Sequence, residues 1–229
     1  GLAWSLGYAD GEQAPLSEVL ATVTRITRGL EQPLTVDIET GYGETPDAVA
    51  GTVRAVIAAG AVGINIEDGR PGHGPLRPVE EATARVRAAR DAADASGVPI
   101  VINARVDNWM QADGAAHAAR LDDAIQRARA YLAAGADGIF PSGLNGPACF
   151  AALVQALDAP INVAAGPSMP GLAELGELGI TRVSTATRLA TLALGAVDRA
   201  VDDLLETGRF DGLVSAFTYT DAQRLFASD

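Results

Sequence analysis

The sequence predicts a parallel α/β fold, because short apolar strands alternate with alanine-rich amphipathic helices along the chain. Gly60, Gly135 and Gly179 stand where a helix commonly ends in a left-handed glycine. The phrases around Gly60 and Gly135, Ala-Ala-Gly-Ala-Val-Gly and Ala-Ala-Gly-Ala-Asp-Gly, describe nearly the same helix-to-strand turn. Strands that follow helices at this spacing are expected to be parallel and joined by right-handed crossovers.

Each predicted strand is a short apolar run, most of them rich in valine or isoleucine, with glycine, proline or acidic residues at its borders. In chain order the predicted strands are Leu34–Glu39, Gly63–Asp68, Pro99–Asp107, Gly138–Pro141, Pro160–Ala164 and Arg182–Ala186.

Each predicted helix has apolar residues that recur every three or four positions, and several begin beside a proline. In chain order the predicted helices are Leu16–Arg28, Pro46–Ala59, Pro78–Ser96, Leu121–Ala134, Gly146–Leu157, Gly171–Leu178, Arg188–Glu206 and a short piece at Thr220–Phe226.

Two closures of such a sheet compete, an open doubly wound sheet and a (β/α)8 barrel. No G-x-G-x-x-G follows the first predicted strand, which weakens the nucleotide-binding form of the open sheet. A barrel needs eight strands, whereas this sequence shows six and begins at Gly1. The barrel therefore predicts roughly 35–45 further residues upstream, the length of one strand–helix–strand unit. No linker-like stretch divides residues 1–229, so a single domain is predicted.

Composition excludes several classes of function. The 229 residues are 48% hydrophobic and 20% charged, which is typical of a globular protein. The net charge of −12 argues against nucleic acid or an anionic membrane surface as the partner. The sequence has neither a long apolar run nor a basic, apolar-cored leader, so no membrane span and a cytoplasmic location are expected.

All 17 cationic side chains are arginine. Without lysine the chain cannot form a lysine Schiff base or supply a P-loop lysine. Cys149 is the single cysteine, and His73 and His117 are the two histidines, so neither an internal disulfide nor a multi-histidine zinc site is expected. Carbonyl chemistry on this chain would need a bound metal or an arginine as its electrophile.

Asp37 and Glu39, at the end of the first predicted strand, should face the same side because side chains alternate along a strand. Two carboxylates on one face of a buried strand are unfavourable unless a cation neutralises them. Carboxylates without clustered histidine or cysteine suit a hard ion, Mg²⁺ or Mn²⁺. The structural alternative is that both acids cap the following helix or meet an arginine.

Further polar side chains follow the later strands, and the carboxyl ends of parallel strands share one edge of the sheet. Together with an acid from an upstream loop, they are Asp10, Glu67, Asn103, Arg105, Asp107, Ser142 and Asn162.

Structural alternatives exist for several polar residues. Asp68 alternates to the face opposite Glu67 and would cap a turn, whereas Asp107 would orient Arg105. Arginines in helical segments are expected on solvated faces, and these are Arg54, Arg85, Arg87, Arg90 and Arg129.

At these residues the sequence resembles the isocitrate lyase and phosphoenolpyruvate mutase superfamily. The matching segments occur in family order and with family spacing, and they extend over nearly the whole chain. They are Ser5–Asp10 (SLGYAD), Asp37–Gly43 (DIETGYG), Ala59–Asp68 (AGAVGINIED), Ala104–Asp107 (ARVD) and Ala130–Pro141 (AYLAAGADGIFP).

The resemblance implies a (β/α)8 barrel that is usually a tetramer, with the last helices (about 188–229 here) exchanged between subunits. It implies Mg²⁺ held by the family's D-x-D-x-G-[YF]-G motif and the glutamate of the next strand, here Asp37, Glu39 and Glu67. It also implies small 2-oxo or 2-hydroxy carboxylates, or phosphonopyruvate, as substrates, and a pyruvate-like enolate bound to the metal as the common intermediate.

The same resemblance assigns roles at the substrate. Arg105 matches the arginine that clamps the substrate, and Asp10 matches the acid near the reacting centre. Gly1 and Leu2 resemble the end of the family's substrate-binding Ser-Gly loop. Ser142 and Asn162 are the remaining residues expected at the substrate.

The sequence departs from the family's lyases at three places. The segment Gly69–Arg77 is shorter than their Lys-Lys-Cys-Gly-His gate loop and has Gly72 where the cysteine general acid falls; His73 is the residue retained. Ser142 stands where the lyases have glutamate, and Glu39 stands where the metal motif has aspartate. These departures disfavour isocitrate and methylisocitrate cleavage.

The sequence therefore predicts a Mg²⁺-dependent lyase that breaks a C–C bond of a small 2-oxo or 2-hydroxy acid by decarboxylation or retro-aldol cleavage. Asp10 or His73 would donate or accept the proton. Alternatives are P–C chemistry on phosphonopyruvate, a phosphate-binding barrel enzyme of another kind, and a non-catalytic carboxylate-binding homologue. A homo-oligomer, tetramer or dimer, is expected.

Overall fold

The computed structural model describes residues 1–72, 74–111 and 117–226, which form six strands and nine α-helices. The strands are β1 (Thr35–Asp37), β2 (Gly63–Glu67), β3 (Val101–Val106), β4 (Gly138–Pro141), β5 (Asn162–Ala164) and β6 (Arg182–Ser184). The helices are α1 (Leu2–Ser5), α2 (Leu16–Gly29), α3 (Pro46–Ala58), α4 (Val79–Ser96), α5 (His117–Ala133), α6 (Pro147–Ala156), α7 (Leu172–Glu177), α8 (Arg188–Thr207) and α9 (Tyr219–Arg224).

All strand pairs are parallel and join neighbours in the sequence. Strands β1 to β4 form one sheet in chain order, and β5 pairs with β6. A bridge between Ile139 and Ile161 connects β4 to the residue just before β5. Strand order does not reverse at a switch point, as it would in a doubly wound sheet, and this arrangement favours the barrel.

The sheet also curls. Arg182, the first residue of β6, donates hydrogen bonds at 3.3 Å to Asn65 Oδ1 on β2 and at 3.3 Å to Thr35 Oγ1 on β1. One side chain of the last described strand therefore reaches the first two strands, which a flat six-stranded sheet would not permit.

The core lies between the strands and the helices outside them. Strands β2 and β4 are buried almost throughout, as expected where helices cover a parallel sheet. Helices α3 and α4 contribute the fully buried Val49, Val53 and Ala89. This packing holds the carboxyl ends of β1, β2 and β3 side by side.

Every predicted strand and helix is present, and the differences lie at the boundaries. Strand β1 ends at Asp37, two residues before the predicted end, because Glu39 adopts the left-handed conformation with φ 49°. The alternation argument that placed Asp37 and Glu39 on one strand face was therefore wrong. Helix α1 and a 3-10 turn at Asn108–Met110 were not predicted.

The chain forms two compact units, one comprising Leu2–Ser184 and the other Gly1 with Thr185–Asp229. The second unit contains α8, which has no buried residue. Among the residues that the structure describes, no helix combines the length and the apolar character needed to cross a membrane.

Candidate active site

The carboxyl ends of β2 and β3 meet in a buried ion group. Glu67 of β2 pairs in register with Arg105 of β3. Arg105 Nη1 lies 2.7 Å from Glu67 Oε2, and Arg105 Nε donates to Asp107 Oδ1 at 2.6 Å. The guanidinium carbon is 5.9 Å from the centroid of the Phe140 ring on the neighbouring strand β4. Two carboxylates and a ring thus fix the arginine.

Asp37 ends the adjacent strand β1 and is accessible to solvent, although protein atoms surround most of its carboxylate. Desolvation by these atoms raises the pKa of Asp37, while the Glu39 N–H, which donates to Asp37 Oδ1 at 2.9 Å, and the charge of Arg105 oppose the rise. Asp37 is thus an accessible carboxylate at the edge of the ion group.

Glu39 and Glu67 are crowded by like charge. Burial first, and then the charge of Asp10, raise the pKa of Glu39 to about 7. Burial also raises the pKa of Glu67, and Arg105 opposes this shift while Asp107 and Asp37 add to it. The pKa of each acid rises because burial and like charge outweigh the local positive charge.

This donor set fits a hard cation. Its donors are carboxylate oxygens, and a divalent ion would relieve their mutual repulsion. Within residues 1–72, 74–111 and 117–226, no three acidic, histidine or cysteine side chains converge closely enough to hold an ion by themselves. Glu39 Oε2 accepts from the Glu12 N–H at 2.7 Å, and Glu67 is held by Arg105. The arrangement fits an ion such as Mg²⁺ that keeps several waters.

The glycine loop that follows Asp37 is held by a buried arginine from α4. Arg85 is 1% exposed, and its guanidinium donates to the carbonyls of Glu44 (2.9 Å), Gly43 (2.8 Å) and Thr40. The prediction that Arg85 lies on a solvated helix face was wrong. Arg85 falls three residues after buried Ala82 and four before buried Ala89, so helical periodicity could have identified it as inward-facing.

Glu12 is a site residue that the sequence did not reveal. Its Oε1 accepts from the Thr40 hydroxyl at 2.7 Å and from the Tyr42 N–H at 3.1 Å. Its own N–H donates to Glu39, as described above. Glu12 therefore links the loop after Asp10 to the loop after Asp37 by hydrogen bonds. These segments are distant in sequence, and no sequence motif predicts the contact.

Among the remaining predicted residues, Asp10, Ser142 and Asn162 lie nearer to the ion group than the others. Asp10 is exposed, and its charge acts on Glu39 and Asp37, so it lies near the acids. Ser142 follows β4 and is buried, and its N–H donates to the Val106 carbonyl at 3.0 Å. The bridge between Ile139 and Ile161 puts Asn162 beside Phe140. Phe140 is in turn the register partner of Arg105, so one strand separates Asn162 from Arg105.

Other predicted residues are less closely associated with the ion group. Asn103 donates to Asn65 Oδ1 at 2.8 Å, one layer below Arg105. Leu2 begins α1, and Gly1 is an exposed residue of the other unit. His73 lies outside the described residues.

Comparison with known proteins identifies the class. The family model described as phosphoenolpyruvate phosphomutase matches residues 1–205. The 2-methylisocitrate lyase of Escherichia coli (strain K12) is 34% identical over 227 residues, covering 92% of this chain and 70% of that protein. An oxaloacetate decarboxylase of Bradyrhizobium sp. (strain ORS 278) is 33% identical over 214 residues, covering 91% and 69%. The crystal structure of a phosphonopyruvate hydrolase complex with oxalate and Mg²⁺ is 26% identical with a TM-score of 0.82, covering 98% and 79%.

The chain therefore belongs to the phosphoenolpyruvate mutase family, within the isocitrate lyase and phosphoenolpyruvate mutase superfamily, and it is an enzyme. The predicted superfamily and its TIM-type barrel fold are confirmed.

Replacing Arg85 by methionine should lower the free energy of unfolding by about 3 kcal/mol, because three loop carbonyls lose a buried charged donor. Urea unfolding followed by circular dichroism measures the change. The matched control is Arg87→Met on the exposed face of the same helix, for which a change within about 0.5 kcal/mol is expected. Equal stabilities of the two variants would contradict the role of Arg85.

Proposed function

We propose that this enzyme breaks a C–C bond of a small 2-oxo acid by decarboxylation, with Mg²⁺ (or Mn²⁺) as its cofactor. The observation that carries the proposal is the fixed Arg105 guanidinium beside a group of acids with raised pKa values. Such a site offers a clamp for a carboxylate and a place for a divalent ion on adjacent strand ends. A substrate that carries a carboxylate next to a 2-oxo group matches both features.

Asp37 is the proposed direct ligand of the ion, and Glu39 and Glu67 would complete its shell, in part through water. When bound, the ion would polarise the 2-oxo group and offset the negative charge that develops there. Asp37 suits this role because it is the most exposed of the three acids, whereas Glu39 already accepts from the Glu12 N–H and Glu67 is already paired with Arg105.

Arg105 would bind one substrate carboxylate through its guanidinium, with Glu67 and Asp107 holding the arginine in place. Ser142 and Asn162 would line the same pocket, as would Leu2 from the amino-terminal side. The departing carboxylate leaves as CO₂, and the electron pair of the broken C–C bond passes into an enolate. Asp10 or His73 would then deliver a proton to C3.

The altered segment Gly69–Arg77 favours decarboxylation over retro-aldol cleavage. In retro-aldol cleavage the leaving group is a carbanion that needs a proton, and Gly72 stands where the lyases supply a cysteine acid. Carbon dioxide leaves as a neutral molecule, so its departure needs no such acid. The similarity to an oxaloacetate decarboxylase supports this choice.

The second candidate is P–C bond chemistry on phosphonopyruvate. The family model and the similarity to a phosphonopyruvate hydrolase favour it. A third, non-catalytic candidate would bind carboxylates with the same residues but turn nothing over.

We further propose a homo-oligomer in which residues 188–229 pack on a second copy. Leu194, Val197 and Val201 of α8, spaced three and four residues apart, are 58%, 62% and 44% exposed and form an apolar face that is unusual on a single chain. Light scattering that gives a monomer mass would contradict this assembly. The single domain and the cytoplasmic location stay predictions.

A panel of 2-oxo acids assayed with Mg²⁺ tests the function. We expect CO₂ release from a 2-oxo dicarboxylate such as oxaloacetate, faster than its spontaneous decay and abolished by a chelator. Release of inorganic phosphate from phosphonopyruvate as the main activity would support the second candidate instead. Binding of oxalate without turnover of any panel member would support the third.

Calorimetry of the purified protein tests the metal ligand. Replacing Asp37 by asparagine keeps the side-chain size but removes the charge, and it should weaken Mg²⁺ binding in the presence of oxalate by at least roughly 100-fold. Asp91→Asn, on the exposed face of α4, is the matched control and should bind as the wild type does. Unchanged Mg²⁺ affinity in the Asp37 variant would overturn the assignment.

A further inference from the structure

Asp68 joins the site to the helix layer. It follows Glu67 but contacts the opposite side, where its 3% exposed carboxylate faces α5. Asp68 Oδ2 accepts from the Tyr131 hydroxyl at 2.7 Å and from Arg127 Nη1 at 3.2 Å. Asp68 Oδ1 accepts from the Asp107 N–H at 2.9 Å. The side chain therefore links β3 and α5, and its interpretation as a turn cap was wrong.

The main chain of Asp68 is also hydrogen-bonded, at both its N–H and its carbonyl. Its N–H donates to the Arg105 carbonyl at 3.2 Å, and its carbonyl accepts from the Arg77 N–H at 2.9 Å. Arg127 Nη1 also donates to the Arg77 carbonyl at 3.0 Å. Asp68 thus fixes three segments at once: the end of β2, the end of β3 and the stretch that leads into α4.

A continuous path of hydrogen bonds runs from α5 to the substrate clamp. Tyr131 and Arg127 hold the Asp68 carboxylate, which holds the Asp107 peptide. The Asp107 carboxylate in turn accepts from Arg105 Nε at 2.6 Å. A shift of the Asp107 peptide would carry its side chain along and so change the direction of the guanidinium.

The network is built to be rigid. Tyr131 is 1% and Arg127 is 7% exposed, and Arg127 Nε has a second partner in Asp123 Oδ2 at 2.9 Å. Their spacing of four residues puts both on one face of α5. Buried polar groups whose hydrogen bonds are satisfied hold a unique arrangement, and small displacements of a substrate-positioning residue strongly affect binding and catalysis.

We propose that Tyr131 and Arg127 are positioning residues that, through Asp68 and the Asp107 peptide, set the orientation of the Arg105 guanidinium. The functional consequence rests on the proposed function, in which Arg105 clamps the substrate carboxylate. The mechanical coupling from α5 to Arg105 does not depend on which reaction the enzyme performs.

Nuclear magnetic resonance of the arginine Nε–H groups measures the coupling without any ligand. The chain has 17 arginines and no lysine, and the Arg105 signal is assigned by its loss in Arg105→Lys. Replacing Tyr131 by phenylalanine should move the Arg105 Nε–H signal, because the hydrogen bond to Asp107 lengthens. An Arg105 signal that stays in place would overturn the proposal.

Two further variants separate positioning from general destabilisation. Ala128→Gly weakens the same helix without removing a group that bonds Asp68, so the Arg105 signal should stay in place. Arg127→Met breaks the other bond to Asp68 and tests the path if Tyr131→Phe does not fold; Arg129→Met, on the exposed face of α5, is its control. Equal shifts in a variant and its control would show a merely structural effect.

Binding and kinetics give the functional readout. In Tyr131→Phe, oxalate affinity should fall roughly 10-fold, and KM should rise by a similar factor while kcat changes less. A fall in kcat at unchanged KM and unchanged oxalate affinity would contradict the role of clamp orientation. If the wild type turns over no 2-oxo acid, the proposed function fails, and the Nε–H signals still decide the coupling.

Discussion

The guanidinium of Arg105 lies between Glu67 of the neighbouring strand and Asp107, the residue just after its own strand, with the Phe140 ring beside it. Burying a charge is unfavourable, and a buried ion group is weak evidence for stability. This group is better understood as an arrangement that keeps a cation and several acids ready at the carboxyl end of the sheet. The strand register fixes Glu67 beside Arg105, and the Asp68 network fixes Asp107. The glycine loop with Asp37 and Glu39 follows the neighbouring strand at the same edge of the sheet.

Three arginines organise different parts of this region. Arg85 satisfies the carbonyls of the glycine loop, Arg105 joins the two strand ends, and Arg127 anchors Asp68 and the Arg77 carbonyl. Each uses more than one nitrogen of a planar guanidinium, which a lysine with a single ammonium could not reproduce. All 17 cationic side chains of the chain are arginine, and at these three positions the contacts explain why lysine would not serve.

The sequence predicted those parts of the molecule that local pattern determines. Apolar runs and left-handed glycines located the strands and helices, and the rule about the carboxyl ends of parallel strands predicted that Asp37, Glu67 and Arg105 lie at one edge of the sheet, where the structure has them. Tertiary contacts determined the rest. Glu12 reaches Glu39 from a distant loop, and Glu39 leaves the strand at φ 49°, which no alternation pattern reveals. Arg85 was wrongly predicted to be solvated because it is charged, although its position in the helix points inward.

The central claim is that Arg105, held by Glu67 and Asp107, is the carboxylate clamp of a metal-dependent site. Calorimetric titration of oxalate in the presence of Mg²⁺, on the wild type and on Arg105→Lys, tests it most directly. Lysine keeps the positive charge but cannot engage both carboxylates and a ligand, so oxalate affinity should fall by at least roughly 100-fold, about 2.7 kcal/mol. Oxalate affinity within roughly threefold of the wild type would contradict the claim, since it would mean that charge alone, without the held guanidinium, is sufficient.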